Sequence, residues 1–231
     1  MWLYALLLTG SFSVPFLLSF DRKLRFREKW NIVVPAILVV AAVFILLDML
    51  YTRLGIWGFN SRYHSGVKIA GLPVEELLFF LVIPYASLFI HYAFFFYYPK
   101  VHPGKFASQV ITICLIGVSV AVIMLNTEKA YTVYAFGALM LSLLLSLADK
   151  THEISRFYLS FLIILIPFMI VNGVLTGTLI DQEVVWYNSG EIIGLRVLTI
   201  PAEDFAYGFS LILFNLLTIN LLNHEKPLYQ S

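Results

Sequence analysis

Charged residues and cysteines are scarce in this sequence. Of its 231 residues, 13% are charged and 60% are hydrophobic, and the formal net charge is +1. This balance gives no electrostatic reason to expect nucleic-acid binding. The single cysteine, Cys114, excludes an intramolecular disulfide framework and a metal site built from several cysteines. A soluble domain of this length would carry more charge, so the composition indicates a polytopic membrane protein.

Sequence signatures of cofactors are also missing. No GxGxxG follows a predicted strand, so the usual nucleotide or flavin fingerprint is absent. No lysine lies inside a predicted span, which leaves a retinal Schiff base without a partner. His64 and His91 lack the acidic or histidine neighbours at the spacing of a metal-binding helix. We therefore predict neither cofactor nor metal, with a metal held by carboxylates alone as the open alternative.

Long apolar runs dominate what is present. A helix needs roughly 20 apolar residues to cross a bilayer core. The sequence therefore predicts an all-α polytopic membrane protein with seven transmembrane helices, at residues 2–20, 31–50, 73–98, 106–125, 130–148, 157–180 and 201–222.

The charges between the spans predict the orientation. Loops on one side hold most of the fifteen lysine and arginine residues, above all segment 21–29 and, with them, Lys226 in the tail. By the positive-inside rule, that side is cytoplasmic. We expect a multi-pass protein of the cell membrane, with its N-terminus outside and its C-terminus in the cytoplasm.

The second half of the chain restates the first. The segments Gly71–Phe80 and Ile200–Phe209 both place Pro-x-acid-acid at the start of an apolar span, and each follows a long polar and aromatic loop. This predicts two parallel three-helix repeats joined by a linking helix. The boundaries that we expect are 1–98 for the first repeat, 99–129 for the linker with the fourth span, and 130–231 for the second repeat with a short tail.

The doubled acids, Glu75 with Glu76 and Glu203 with Asp204, are the candidate catalytic residues. Carboxylates are costly inside a membrane and usually mark function. The positive end of a helix favours their ionised form, whereas burial favours the neutral acid. If the pairs face one another across a shared interior, as matched repeats should, protons would be shared between them. A protonated acid beside a carboxylate suits acid/base catalysis; helix capping is the structural alternative.

Aromatic and polar residues near the acids complete the predicted site. Phe79, Phe80 and Tyr207 lie one helical turn after an acid, where an aromatic face can stabilise a carbocation. Ordinary packing or interfacial anchoring is the alternative for these residues and for the loop aromatics. The loops add Trp57, Trp186 and Tyr187 as candidate substrate contacts. Supporting polar residues are expected at Asp48, Asn60, Asn172, Asp181, Asn188 and Arg196.

Several segments resemble the membrane-integral carotenoid cyclase family, the lycopene cyclases that use no flavin. The similarity lies in Gly71–Phe80, Gly55–Phe59 and Thr199–Phe209, with further likeness at Asn172–Gly177 and Val184–Tyr187. It covers nearly the whole chain, about residues 2–222. In some relatives the two halves are separate subunits. Both lie in one chain here, so the resemblance implies that no partner subunit is needed besides lycopene and the bilayer.

The resemblance and the acids together predict a lycopene β-cyclase, an isomerase of carotenoid biosynthesis. An acid would protonate the ψ end group of lycopene, and a carboxylate would remove a proton after ring closure, giving γ-carotene and then β-carotene. We expect Glu75 and Glu203 to face the substrate as acid and base, with Glu76 and Asp204 holding the shared proton. The alternatives are another ring type, a C50 substrate, or a non-enzymatic membrane transporter.

Overall fold

The computed structural model describes residues 2–101 and 103–224, and helices account for most of them. Each helix is apolar along its length, so burial or contact with lipid stabilises it more than amphipathic packing does. The helices are α1 (Leu3–Leu18), α2 (Trp30–Arg53), α3 (Val74–Tyr97), α4 (Lys105–Leu125), α5 (Ala130–Ala148), α6 (Glu153–Leu175) and α7 (Ala202–Leu222).

The predicted all-α polytopic membrane fold is confirmed. Helices α2 to α7 are each long and apolar enough to cross a membrane by length and composition. Helix α1 is equally apolar but has only 16 residues, so it is shorter than the predicted span 2–20. The predicted tail, including Lys226, lies outside the described residues.

The predicted sixth span, 157–180, is displaced in the structure. Helix α6 begins four residues earlier, where the Asp149 carboxylate accepts a hydrogen bond from the Glu153 N–H at 3.2 Å. It ends at Leu175, and Gly177 follows with a φ of +112°, a left-handed conformation that suits glycine and does not continue a helix. As a consequence, Asp181 lies in the following loop rather than at the helix end.

The helices of the two halves pack in the same pattern. Within each half the first helix lies along the third, α1 on α3 and α5 on α7. The second helix of each half packs on both third helices, α2 and α6 each on α3 and α7, so the halves exchange contacts; α4 packs on α5 and α6. This exchange brings both acidic helix starts into one interior. We propose that the chain is divided as the sequence predicts, into repeats at 1–98 and 130–231 around the linker 99–129.

Short strands in the two long loops bring those loops together. Strands β1 (Trp57–Phe59) and β4 (Val185–Tyr187) pair antiparallel, with Gly58 opposite Trp186. Two hairpins, β2 with β3 and β5 with β6, lead directly into α3 and α7; their strands are Lys68–Ile69, Leu72–Pro73, Arg196–Val197 and Ile200–Pro201. The loops therefore form a paired cover at the end of the bundle where both acidic helices begin.

Gly58 allows the close contact between the two long loops. A Cβ atom at this position would overlap the indole ring of Trp186. We predict that Gly58→Ala destabilises the protein by about 1–3 kcal/mol, because overpacking forces the strands apart. Thermal unfolding in detergent measures the loss.

The double variant Gly58→Ala/Trp186→Ala is the control for this prediction, because removal of the indole ring leaves room for the new methyl group. It should lose no more stability than Trp186→Ala alone. If the double variant instead loses the sum of the stability losses of the two single variants, the contact between Gly58 and Trp186 does not constrain the pairing of the loops.

Candidate active site

A cavity of about 360 Å³ lies beneath the paired loops, between α1, α3, α6 and α7. Its wall is mostly apolar and aromatic. Three carboxyl groups reach it: Asp48 near the end of α2, Glu76 in the first turn of α3, and Asp204 in the first turn of α7. All three are buried, with at most 7% of each residue exposed. The Pro-x-acid-acid segments of both halves thus each contribute one acid to a single chamber.

Asp204 is the most heavily hydrogen-bonded of these acids. It accepts from the Tyr131 hydroxyl, from Asn172 Nδ2 at 2.8 Å and from the Tyr187 hydroxyl at 3.0 Å. Desolvation and the Asp204 charge raise the pKa of Tyr187 well above its usual range, so this hydroxyl stays protonated and can donate. Three donors around one carboxyl group stabilise its ionised form.

Glu76 and Asp48 accept fewer hydrogen bonds than Asp204 does. Glu76 accepts one hydrogen bond, from the Tyr4 hydroxyl at 2.5 Å. Asp48 Oδ1 accepts from Trp57 Nε1 at 2.5 Å, and Asp48 Oδ2 has no partner among the described residues. The two carboxyl groups are close enough to interact electrostatically. Because two buried carboxylates with so few donors repel each other, the pair should share a proton.

The other member of each acidic pair does not line the cavity. Glu75 accepts a hydrogen bond from the backbone N–H of Ser65 at 2.7 Å. Glu203 accepts from the N–H of Ile193 at 2.6 Å and from Thr132 Oγ1 at 2.7 Å. The sequence predicts Glu75 and Glu203 on the interior side, but Glu76 and Asp204 line the cavity instead. Glu75 and Glu203 hold the loops onto the helix starts, whereas Glu76 and Asp204 face the chamber.

Four of the six predicted aromatic contacts line the cavity, namely Trp57, Phe79, Tyr187 and Tyr207. The other two do not. Phe80 is buried on another face of α3, where its ring packs on Phe44 with 6.3 Å between centroids. Trp186 is 39% exposed and covers Gly58 on the outer side of the strand pair. Both differences arise because successive side chains on a helix or strand point in different directions.

Two of the six predicted supporting residues, Asp48 and Asn172, take part in the chamber directly. Arg196 is exposed; its guanidinium donates to the Thr199 carbonyl and lies 6.0 Å from the centre of the Tyr187 ring. The remaining three stay in the outer loops: Asn60 donates to Gln182, Asn188 accepts from the Gly190 N–H, and Asp181 lies 3.7 Å from Arg62.

The repeat predicts that Asp48 and Asp181 occupy matched positions at the ends of the second and sixth spans, but the structure places them in different surroundings. Asp48 is buried inside α2, whereas the side chain of Asp181 is 84% exposed in the loop that follows α6. The two residues therefore do not perform matched roles at the site.

Sequence reasoning missed the tyrosines that hold the acids. Tyr4 and Tyr131 lie in the first turns of α1 and α5 and donate to Glu76 and Asp204. One signal was available, because each tyrosine precedes a matched serine, Ser19 or Ser146, by the same number of residues. In contrast, Thr132 has no counterpart that would have drawn attention to it. Among the described residues, no group of three or more acidic, histidine or cysteine side chains could hold a metal ion.

Comparison with known proteins identifies one family. The family model described as lycopene cyclase matches residues 1–95 and 128–222. Each matched region therefore covers one half of the chain, with its first and second helices, its long loop and its acidic third helix. Comparable searches of curated proteins and of solved structures match nothing.

The loop-holding role of Glu75 and Glu203 predicts an effect on stability. Glu75→Ala leaves the Ser65 N–H without its acceptor, which should cost about 1–3 kcal/mol of unfolding free energy. Glu75→Gln keeps a side-chain oxygen for this N–H and should lose less. Thermal unfolding, together with proteolysis within residues 51–72, measures both variants. If Glu75→Ala unfolds and is cleaved like the wild type, Glu75 does not anchor the loop.

Proposed function

The chain belongs to the lycopene cyclase family, and from this premise we propose that it is a lycopene β-cyclase that works by proton transfer alone. The family implies an enzyme with a carotenoid substrate. The observation that carries the finer proposal is the placement of Glu76 and Asp204, one from each half, in a single apolar chamber. An acid and a base on two sides of a hydrocarbon cavity are what a redox-neutral cyclisation requires.

The first step is protonation of the substrate. We assign the donor to the Glu76 carboxyl group, which lies near Asp48 and, among the described residues, accepts a hydrogen bond from Tyr4 alone. Few donors and deep burial keep a carboxyl group neutral, and a neutral carboxyl group can donate. The proton adds to the terminal double bond of a ψ end group and leaves a tertiary carbocation.

The second step is ring closure, and the walls of the chamber support it. The neighbouring double bond of the substrate attacks the cation and forms a six-membered ring that carries the positive charge. Trp57, Tyr131, Tyr187 and Tyr207 surround this end of the chamber, and their ring faces attract a cation. The apolar lining and the paired loops exclude water, which would otherwise add to the cation.

The third step is loss of a proton to a carboxylate. Asp204 suits this role because its three donors favour the ionised form before the reaction. Removal of the proton from the ring carbon that bears the polyene chain of the substrate leaves a β ring. One proton is gained and one is lost, so no electron transfer and no oxidant enter the balance.

The charges at the two ends of the bundle support the proposed orientation. The acids, both long loops and the start of α1 lie at one end, which the positive-inside rule makes the outer face. Segment 21–29 and the loop before α4 lie at the opposite end. We propose a cell-membrane protein with its N-terminus outside and its C-terminus in the cytoplasm, active without a partner subunit.

Expression of this chain alone in a lycopene-accumulating bacterium tests the function. Pigment analysis should show conversion to a bicyclic carotene with β rings. Unchanged lycopene, with the protein inserted in the membrane, would contradict the proposal; ε rings or a monocyclic end product would correct its ring specificity.

Variants of the acids test the assigned roles in the same cells. We predict that Glu76→Gln and Asp204→Asn each lower the rate of conversion at least about a hundredfold, which is a usual cost of removing a general acid or base. Glu75→Gln is the matched control, one residue away on the same helix and outside the cavity, and should retain most of the activity. Loss of activity in Glu75→Gln with full activity in Glu76→Gln would restore the roles that the sequence predicts.

A further inference from the structure

The cavity extends away from the acids along α3. On this helix its wall is formed by residues spaced about one turn apart, from Glu76 through Phe79, Ile83 and Ala86 to Ile90. At 1.5 Å per residue, the distance from Glu76 to Ile90 is about 21 Å along the helix axis. Beyond the acid end the wall is almost entirely apolar. The chamber therefore has a long arm, which the ring-forming chemistry alone would not need.

Partly exposed residues of α1 and α6 border the arm. Gly10 and Val14 of α1 form part of its wall, and Val14 is 60% exposed. A Cβ atom added at Gly10 would meet nothing within 4 Å. Phe168 and Val171 of α6 line the cavity as well, and both are only partly buried. These residues lie within two apolar helices, so an opening between them would face lipid rather than water.

The matched position in the second half carries a larger side chain. Ala86 corresponds to Phe214 when Glu76 is aligned with Asp204, and the Phe214 ring packs on Phe44 with 6.0 Å between centroids. Gly137 of α5 corresponds to Gly10 when Ser146 is aligned with Ser19, but it does not line this cavity. Two acidic helix starts thus meet at the chamber, and the arm runs along α3, the helix with the smaller side chain at this position.

We propose, on the basis of the function proposed above, that the opening between α1 and α6 admits an acyclic carotenoid from the bilayer, end first. The ψ end group passes Gly10 and Val14 and reaches the acids, and the following part of the polyene lies along α3. An extended forty-carbon chain is longer than the arm, so its far end stays in the bilayer. Each end group therefore needs its own passage through the opening, and the monocyclic carotene leaves before the second ring forms.

Obstruction of the arm tests this route. Gly10→Leu places a side chain in the opening, and Ala86→Phe gives the arm the larger residue found at the matched position of the other half. Gly137→Leu is the matched control, because it makes the same change in the matched helix, away from the cavity. The measurement is the initial rate of lycopene conversion in isolated membranes at limiting lycopene, with equal amounts of folded protein judged by thermal unfolding.

We expect Gly10→Leu and Ala86→Phe to lower this rate by about tenfold or more, with Gly137→Leu within about twofold of the wild type. If Ala86→Phe does not fold, Gly10→Leu decides, because space for its side chain is open. If Gly10→Leu and Gly137→Leu both convert lycopene at the wild-type rate, the proposed route is wrong and the proposed function is unaffected. A wild-type protein that leaves lycopene unchanged would instead contradict the function itself.

The time course of the wild type provides a second readout. Release between the two ring closures predicts that the monocyclic carotene accumulates first. When the substrate is labelled lycopene, added unlabelled monocyclic carotene should then dilute the label in the bicyclic product. Bicyclic product that keeps its full label from the start would overturn the release step.

Discussion

The structure depends on how buried carboxyl groups are satisfied inside a hydrocarbon environment. An unpaired carboxylate among apolar helices is so costly that each acid must find donors or keep its proton. Here the donors come from distant parts of the chain. Tyr4 reaches Glu76 from the start of α1, Tyr131 reaches Asp204 from the start of α5, and the long loops provide backbone N–H groups. These hydrogen bonds fix the first helix and the loop of each half around the acids.

The doubled acid in each half separates two tasks. Neighbouring residues on a helix point about 100° apart, so one carboxyl group can hold the loop while the next faces the interior. Glu75 and Glu203 accept from Ser65 and Ile193, which occupy matched positions in the two loops. Glu76 and Asp204 are thereby left to face the chamber, in different surroundings, and are the acids to which we propose the chemistry belongs. One donor and a nearby Asp48 favour a shared proton at Glu76, whereas three donors favour the carboxylate at Asp204.

Much of the architecture could be predicted from the sequence because length and hydropathy set membrane spans locally. The spans, the two Pro-x-acid-acid helix starts and their meeting in one interior all follow from such patterns. The rotation of each helix does not, since it depends on packing against distant helices. This explains why Glu76 rather than Glu75 lines the cavity and why Phe80 faces away from it. The helix end before Asp181 was misplaced because the glycine turn at Gly177 lies inside an apolar run.

In the proposed reaction the chamber adds one proton to the substrate and removes one for each ring. Turnover of lycopene by the purified protein in heavy water, followed by mass spectrometry of the product, tests this most directly. Proton transfer alone predicts a product with the mass of lycopene in ordinary water and with one deuterium for each ring in heavy water. A product that has lost hydrogen, or rings without deuterium, would contradict proton transfer from an exchangeable acid.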